Sequence, residues 1–173
     1  WNNVEPNQFP YVRGNKTKGN EWLICQDINV TDCKAANEKA LDAISRGANA
    51  ITFRLEYDKL YTDLELSALL NGINTKEVEL SFYNNKYHLP LLEQLSRIPD
   101  LRGSLNYDPL TRYIRRGTWF IAENTDMELA YILTKADMPG FQTIGINAHV
   151  FTNAGATIAQ EMAFALAVGA EYL

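Results

Sequence analysis

The feature that most limits the folds open to this chain is an alternation repeated five times along its 173 residues: a short apolar run, then a helical pattern with its own start signal. The runs are 21–28 (EWLICQDI), 50–55 (AITFRL), 78–83 (VELSFY), a short one at 102–105, and 143–148. Helical spacing follows each. Ala36, Ala40 and Ile44 recur at intervals of four, with Gly47 as terminator. Thr62 with Glu65 makes a capping box before Leu66, Leu69, Leu70 and Ile73, and Asn84 and Asn85 precede a helix through Leu91, Leu92, Leu95 and Ile98, which Pro99 ends. Thr125 with Glu128 caps a fourth helix carrying Leu129, Ile132 and Leu133, and Thr157 with Gln160 caps a fifth. In that last helix, Ile158, Met162, Leu166, Gly169 and Leu173 form the face expected to pack on the sheet.

Strands that alternate with helices form parallel sheets covered by those helices. Two architectures fit. A flavodoxin-like doubly wound sheet is complete at five units, with strand order 2-1-3-4-5; a (β/α)8 barrel at the same point lacks about three units and runs in sequential order. Periodicity leaves both open. The connection at 106–126 is long for a βα loop and is expected to hold a short helix and part of a contact surface. Residues 1–20 are polar, contain two prolines and lack a period, so they read as an extended arm, with the folded domain at 21–173.

With 46% apolar residues the chain can bury a core, and a net charge of −5 argues against nucleic acid or an anionic bilayer as partner. It lacks an apolar run of the roughly 18 residues that span a membrane, and its start has no secretory-signal order, so a soluble, cytoplasmic protein is expected. Cys25 and Cys33 have no CxxC or histidine cluster beside them and read as reduced core or near-core thiols. The chain begins at Trp1 and stops within an amphipathic helical pattern, from which a piece of something longer is expected.

The phosphate-cradling patterns GxGxxG and GxxxxGK[ST] are absent, as are HExxH and GxSxG. His88 and His149 each stand alone; His149, just after a strand, lies where parallel α/β folds place their sites. Asp108, Arg112, Arg115 and Arg116 form a cluster in the long connection, read either as a solvated helical face or as a contact for phosphates. Trp22, Trp119 and the nine tyrosines read mostly as core and interface residues. Arg54 lies within a strand, where its guanidinium must either emerge at the strand end or find a carboxylate, and Glu56 on the same face is an available partner.

PYVRG at 10–14, EWLICQ, GANAITFRL and above all NAGATIAQEMAFALAVGAEYL resemble the amino-terminal barrel of the methylmalonyl-CoA mutase family, nearly end to end. The resemblance implies that the five units are the first part of a (β/α)8 TIM-type barrel. It also implies radical isomerisation of an acyl-CoA, in which adenosylcobalamin supplies the radical and the barrel threads the CoA tail. Bacterial members often pair a catalytic large subunit with a related small subunit that binds no cobalamin.

The departures point to the small subunit. Catalytic chains are expected to have tyrosine and histidine where this chain has His149 and Val150, and a substrate-contacting tyrosine where it has Thr17. The family's FDL is FRL here through Arg54, and its QND reads Asn106, Tyr107, Asp108. The run YDPLTRYIRRGT resembles the small subunit instead, and neither histidine sits in the cobalt-ligating pattern DxHxxG. The resemblance thus implies a fragment of the small, non-catalytic subunit of an adenosylcobalamin-dependent heterodimer. It implies no catalytic residue and no bound cofactor in this chain, and a large subunit as the partner held. The contrasting reading is a catalytic mutase with a rearranged site built on His149 and Arg116. Five barrel units leave two open strand edges, so self-association along them or further chain is expected.

Overall fold

The structure is a computed structural model and describes residues 22–117, 138 and 140–172. Its strands are β1 (Cys25–Asn29), β2 (Ala50–Arg54), β3 (Glu79–Tyr83), β4 (Gly103–Tyr107) and β5 (Phe141–Ile144). The helices are α1 (Cys33–Ser45), α2 (Asp63–Leu70), α3 (His88–Leu95), α4 (Pro109–Arg116), α5 (His149–Asn153) and α6 (Ile158–Glu171). The expected arm at 1–20, the Thr125 cap with its helix, and Trp119 lie outside the described residues.

All five strands are parallel and pair in the order β1-β2-β3-β4-β5. A doubly wound sheet reverses its order after the first strand. This sheet does not, so it has the sequential arrangement of barrel βα units, and the flavodoxin-like alternative is excluded.

The two faces of the sheet differ chemically. Ile28, Ile51, Phe53, Leu80, Phe82, Leu105 and Phe141 are buried in one core with Ala36 and Ala40 of α1, Leu66 and Leu69 of α2, and Leu91, Leu92 and Leu95 of α3. Phe82 and Phe141 reach each other across β4, with ring centroids 6.5 Å apart. Gly103 makes the close pairing there possible: its φ is +133°, and a Cβ would stand 2.0 Å from the Leu80 carbonyl oxygen. The alternate residues, Asp27, Thr52, Arg54, Glu79, Ser81, Tyr83, Ser104 and Gln142, share the opposite face by register. That face is largely polar, with buried Ala50 among its members, and it carries side-chain links across strands: the Ser81 and Ser104 hydroxyls at 2.9 Å, and the Cys25 thiol and Thr52 hydroxyl at 3.2 Å.

The helix starts follow the sequence. Thr62 and Thr157 each close a full capping box, with Glu65 and Gln160. Asp32 caps α1, and Asn37, buried within it, donates to the carbonyls of Leu69 and Asn71, both at 2.8 Å, so α1 ties down the end of α2.

Five expectations need correction. The first strand starts at Cys25 rather than 21: its partner β2 begins at Ala50, and just before it Ile24 is held by the turn, donating to the Asn49 side chain at 2.6 Å and accepting from the Asn49 and Ala50 N–H groups at 3.1 Å; Trp22 is 68% exposed, not core. Cys33 is buried as expected, while Cys25 is exposed. The fifth strand covers Phe141–Ile144 instead of 143–148, because Gly145 donates to the Tyr107 carbonyl at 3.1 Å and Asn147 is captured by a carboxylate, turning the chain into α5. Arg54 pairs with Asp27 at 2.7 Å, not with Glu56, because Asp27 lies on the same face one strand over. Of the face of α6 chosen from spacing, Ile158, Met162 and Leu166 are 82%, 60% and 68% exposed, whereas Gly169 is half-buried against Ile146 and Leu173 lies outside the described residues. The helix makes its contacts instead through Phe164, whose ring is 5.0 Å from that of Phe151, and through Val168 and Tyr172.

Candidate functional site

The carboxyl ends of β3, β4 and β5 converge on Asp108, which caps α4 from a buried position. Its Oδ1 accepts from the Thr111 backbone N–H at 2.9 Å and from the Tyr172 hydroxyl at 2.6 Å. Its Oδ2 accepts from the Asn147 backbone N–H at 2.6 Å and from Asn147 Nδ2 at 3.0 Å. The Tyr172 oxygen in turn accepts from the Leu110 N–H at 3.0 Å. Burial and the Asp108 carboxylate push the Tyr172 phenol far above its ordinary range, so it stays protonated and donates. Asp108 is therefore committed to holding β4, the β5–α5 turn and the end of α6 together, with little capacity left for a ligand.

Beside this junction lies a cleft of about 100 Å³, lined among others by Tyr57, Tyr83, His88, Tyr107, Arg112, Asn147 and His149. Three tyrosines on its wall each carry an arginine. Arg54 stands 5.8 Å from the Tyr83 ring centre, Arg112 5.8 Å from that of Tyr107, and Arg116 4.9 Å from that of Tyr57. Cations over aromatic faces attract by about 0.5–2 kcal/mol each, more as water is excluded, so these stacks hold the guanidinium groups against the wall. Ligand pockets for drug-sized molecules run to roughly 300–1,000 Å³, and the space left here falls below that.

His88 opens α3 with its ring 4.5 Å from Tyr107. Burial first, and the Arg112 charge second, push its pKa down to about 4; it is neutral at pH 7, and its Nδ1 is buried without a hydrogen-bond partner among the described residues. Asn85, also buried, donates to the carbonyls of Glu56 and Lys59, both at 2.8 Å, and locks the β3–α3 turn onto the β2–α2 loop.

The residues singled out from sequence are thus brought to one end of the sheet. His149 begins the short α5 and is exposed at the edge of the cleft, with half-buried Val150 beside it. Arg112 and Arg115 line the cleft; Arg116 lies over Tyr57. Reasoning from sequence took the tyrosines as core and interface residues and missed their stacking with arginines and the bond from Tyr172 to Asp108. Their signal was faint: tyrosines at or just past strand ends, each with an arginine elsewhere in the chain.

The sequence profile of the methylmalonyl-CoA mutase family matches residues 60–173. The small subunit of methylmalonyl-CoA mutase from Porphyromonas gingivalis is 36% identical over 97% of this chain and 28% of the relative. This chain belongs to the methylmalonyl-CoA mutase family. The family's small subunit from Streptomyces virginiae is 28% identical over 97% of the chain and 29% of the relative. The large subunit from Porphyromonas gingivalis is 28% identical over 63% of the chain and 17% of the relative. The chain therefore spans less than a third of the length of these mutase relatives.

Mutases of this family generally depend on adenosylcobalamin, and this chain's residues do not fit the group. Lys86 and Asn147 stand two residues before His88 and His149, where an aspartate partner belongs, and His88 is packed against Tyr107. Among the described residues, no three His, Cys, Asp or Glu side chains gather as a metal site. No step through cobalamin is assigned to them. No helix among the described residues is long and apolar enough to cross a membrane.

Proposed function

We propose that this chain is the opening part of the barrel in the small, non-catalytic subunit of an adenosylcobalamin-dependent methylmalonyl-CoA mutase. The holoenzyme interconverts methylmalonyl-CoA and succinyl-CoA, and the large subunit of the cytoplasmic heterodimer carries the cobalamin and the chemistry. The role of this chain is to hold that large subunit, with the arm at 1–20 laid along its surface. The barrel domain is taken as 21–173, continued by further units at its carboxyl-terminal end.

The observation that supports this reading best is the filled cleft. A radical isomerase must seat its thioester in a dry, shaped cavity. Here the corresponding strand ends hold Arg–Tyr stacks, a neutral buried His88, and an Asp108 already engaged in four hydrogen bonds. The similarity to small subunits across 97% of the chain points the same way.

The contrasting reading places catalysis on His149 and Arg116. His149 does reach the cleft edge, which is what that reading has in its favour. The test is to purify the intact subunit alone and together with its large partner. The expected result is a heterodimer by mass measurement, with turnover of methylmalonyl-CoA in the pair and none in the subunit alone. Turnover by the subunit alone that falls at least tenfold in H149A would establish the contrasting reading.

A further inference from the structure

We propose that the cleft at the carboxyl ends of β3, β4 and β5 is a binding site for one small tetrahedral dianion, with free inorganic phosphate as the ligand that fits. The inference stands on the cleft's own residues and goes beyond the reading of the chain as part of a mutase subunit.

The chain as a whole is acidic, with a formal net charge of −5. The cleft is not. Arg112 and Arg115 line it, and the carboxylate it holds among the described residues, Asp108, already accepts four hydrogen bonds. Arg46, Arg54, Arg97 and Arg102 each pair with a carboxylate, whereas Arg112 and Arg115 have none among the described residues. Arg112 is half-buried and lies 5.8 Å from the Tyr107 ring centre, so it is held on the wall without being neutralised. Guanidinium groups in that condition take oxyanions through their forked N–H donors.

Two further features add donors. α1, α2, α4 and α6 each begin with a side-chain cap; α3, which starts at His88 in the cleft wall, begins without one, and an uncapped helix start favours an anion. Thr111 is 2% exposed and lines the cleft from α4, and its hydroxyl has no hydrogen-bond partner among the described residues. A buried hydroxyl left unpaired costs free energy, and a ligand oxygen seated against Thr111 supplies the acceptor it lacks. Asn84 and Asn106 also line the cleft, and both hold positive φ, +73° and +53°, a backbone conformation that gathers at ligand sites.

Size and charge choose the ligand. About 100 Å³ is room for a few water molecules, too little for a nucleotide or a thioester, and one ion of four oxygens fits. Two guanidinium groups without carboxylate partners favour a double charge over a single one.

The test is calorimetric titration of the intact subunit, without its partner, with inorganic phosphate, acetate and glycerol phosphate at neutral pH and low salt. Wild type is expected to bind one phosphate with a Kd of about 1 mM or tighter, and acetate and glycerol phosphate at least about tenfold more weakly. The double variant R112Q with R115Q is expected to lose at least about tenfold in phosphate affinity, and T111V about threefold. R102Q, whose arginine pairs with Glu79 at the other end of the sheet, should bind as wild type does. Circular dichroism and thermal melts check folding, and phosphate should raise the melting temperature of wild type and not of the double variant. R115Q alone, at an exposed position, is expected to show an intermediate loss and carries the test if the double variant does not fold. Absence of saturable phosphate binding by wild type overturns the proposal, as does a folded arginine variant that binds as tightly as wild type. Acetate bound as tightly as phosphate overturns the assignment to a tetrahedral dianion, and glycerol phosphate bound more tightly overturns the assignment to the free ion.

Discussion

At the scale of single residues, the buried polar groups decide most. Asp108 accepts four hydrogen bonds from three segments, and bonds to a charged acceptor contribute about 1.5–3 kcal/mol each without adding fully. D108A is expected to destabilise the intact subunit by about 3 kcal/mol or more in urea unfolding, and Y172F by about 1–2 kcal/mol, since it loses one of those bonds. His88 gives a pH dependence of definite sign. Its folded pKa, about 4, lies below the unfolded value near 6.5, so the unfolded chain takes up the proton first. The protein carries no cost from this group above that unfolded value and loses stability as pH falls from about 6.5 towards 4, by up to about 3 kcal/mol. H88F removes the titration and also the unpartnered Nδ1; urea midpoints measured across pH should show a shallower acid-side fall than wild type.

At the scale of elements, the helix starts are local devices and should respond locally. T62A and T157A each remove the side-chain acceptor of a capping box, with an expected loss of about 1 kcal/mol readable in thermal melts. At Thr62 the device is also pH-sensitive. The Glu65 carboxylate accepts from the Thr62 backbone, Lys59 and the Thr62 hydroxyl, which holds its pKa at about 2. Its contribution is present above the ordinary glutamate range and is lost as pH falls towards about 2; a third of the side chain is exposed, so solvent keeps the effect small. In the sheet, truncating fully buried Phe53 or Leu69 to alanine leaves a cavity between sheet and helix, with an expected cost of about 2–5 kcal/mol.

At the scale of the whole molecule, the unfinished surfaces coincide. Among the described residues β1 pairs only with β2, and β5 only with β4, so the sheet has an open edge at each end. The outer face of α6, with Ile158, Met162 and Leu166, presents exposed apolar surface. Exposed edges and apolar stripes promote association. The 173-residue chain taken alone is expected to self-associate in light scattering, and M162E with L166E to reduce this. In a polypeptide extended to the length of its relatives, hydrogen exchange at Cys25–Asn29 and Phe141–Ile144 should slow by at least tenfold relative to the shorter chain.

Local chemistry was legible in the sequence: the strand–helix alternation, the Thr62 and Thr157 boxes, Gly47 as a terminator, and the short helix after β4. Each depends on residues within a few positions of one another, and backbone hydrogen bonding makes them declare themselves. The resemblance in the last block supplied the family, which no single residue could. What only the tertiary structure decided depends on partners distant in the chain. Strand order separated the barrel from the doubly wound sheet, since both share one local pattern. Asp27 rather than Glu56 took Arg54, because register places a neighbouring strand's carboxylate on the same face. The contact face of α6 lay elsewhere than on its apolar stripe, because period fixes which residues share a face and leaves open which face meets the sheet. Asp108 became a junction only when Asn147 and Tyr172, 39 and 64 residues away, were folded onto it.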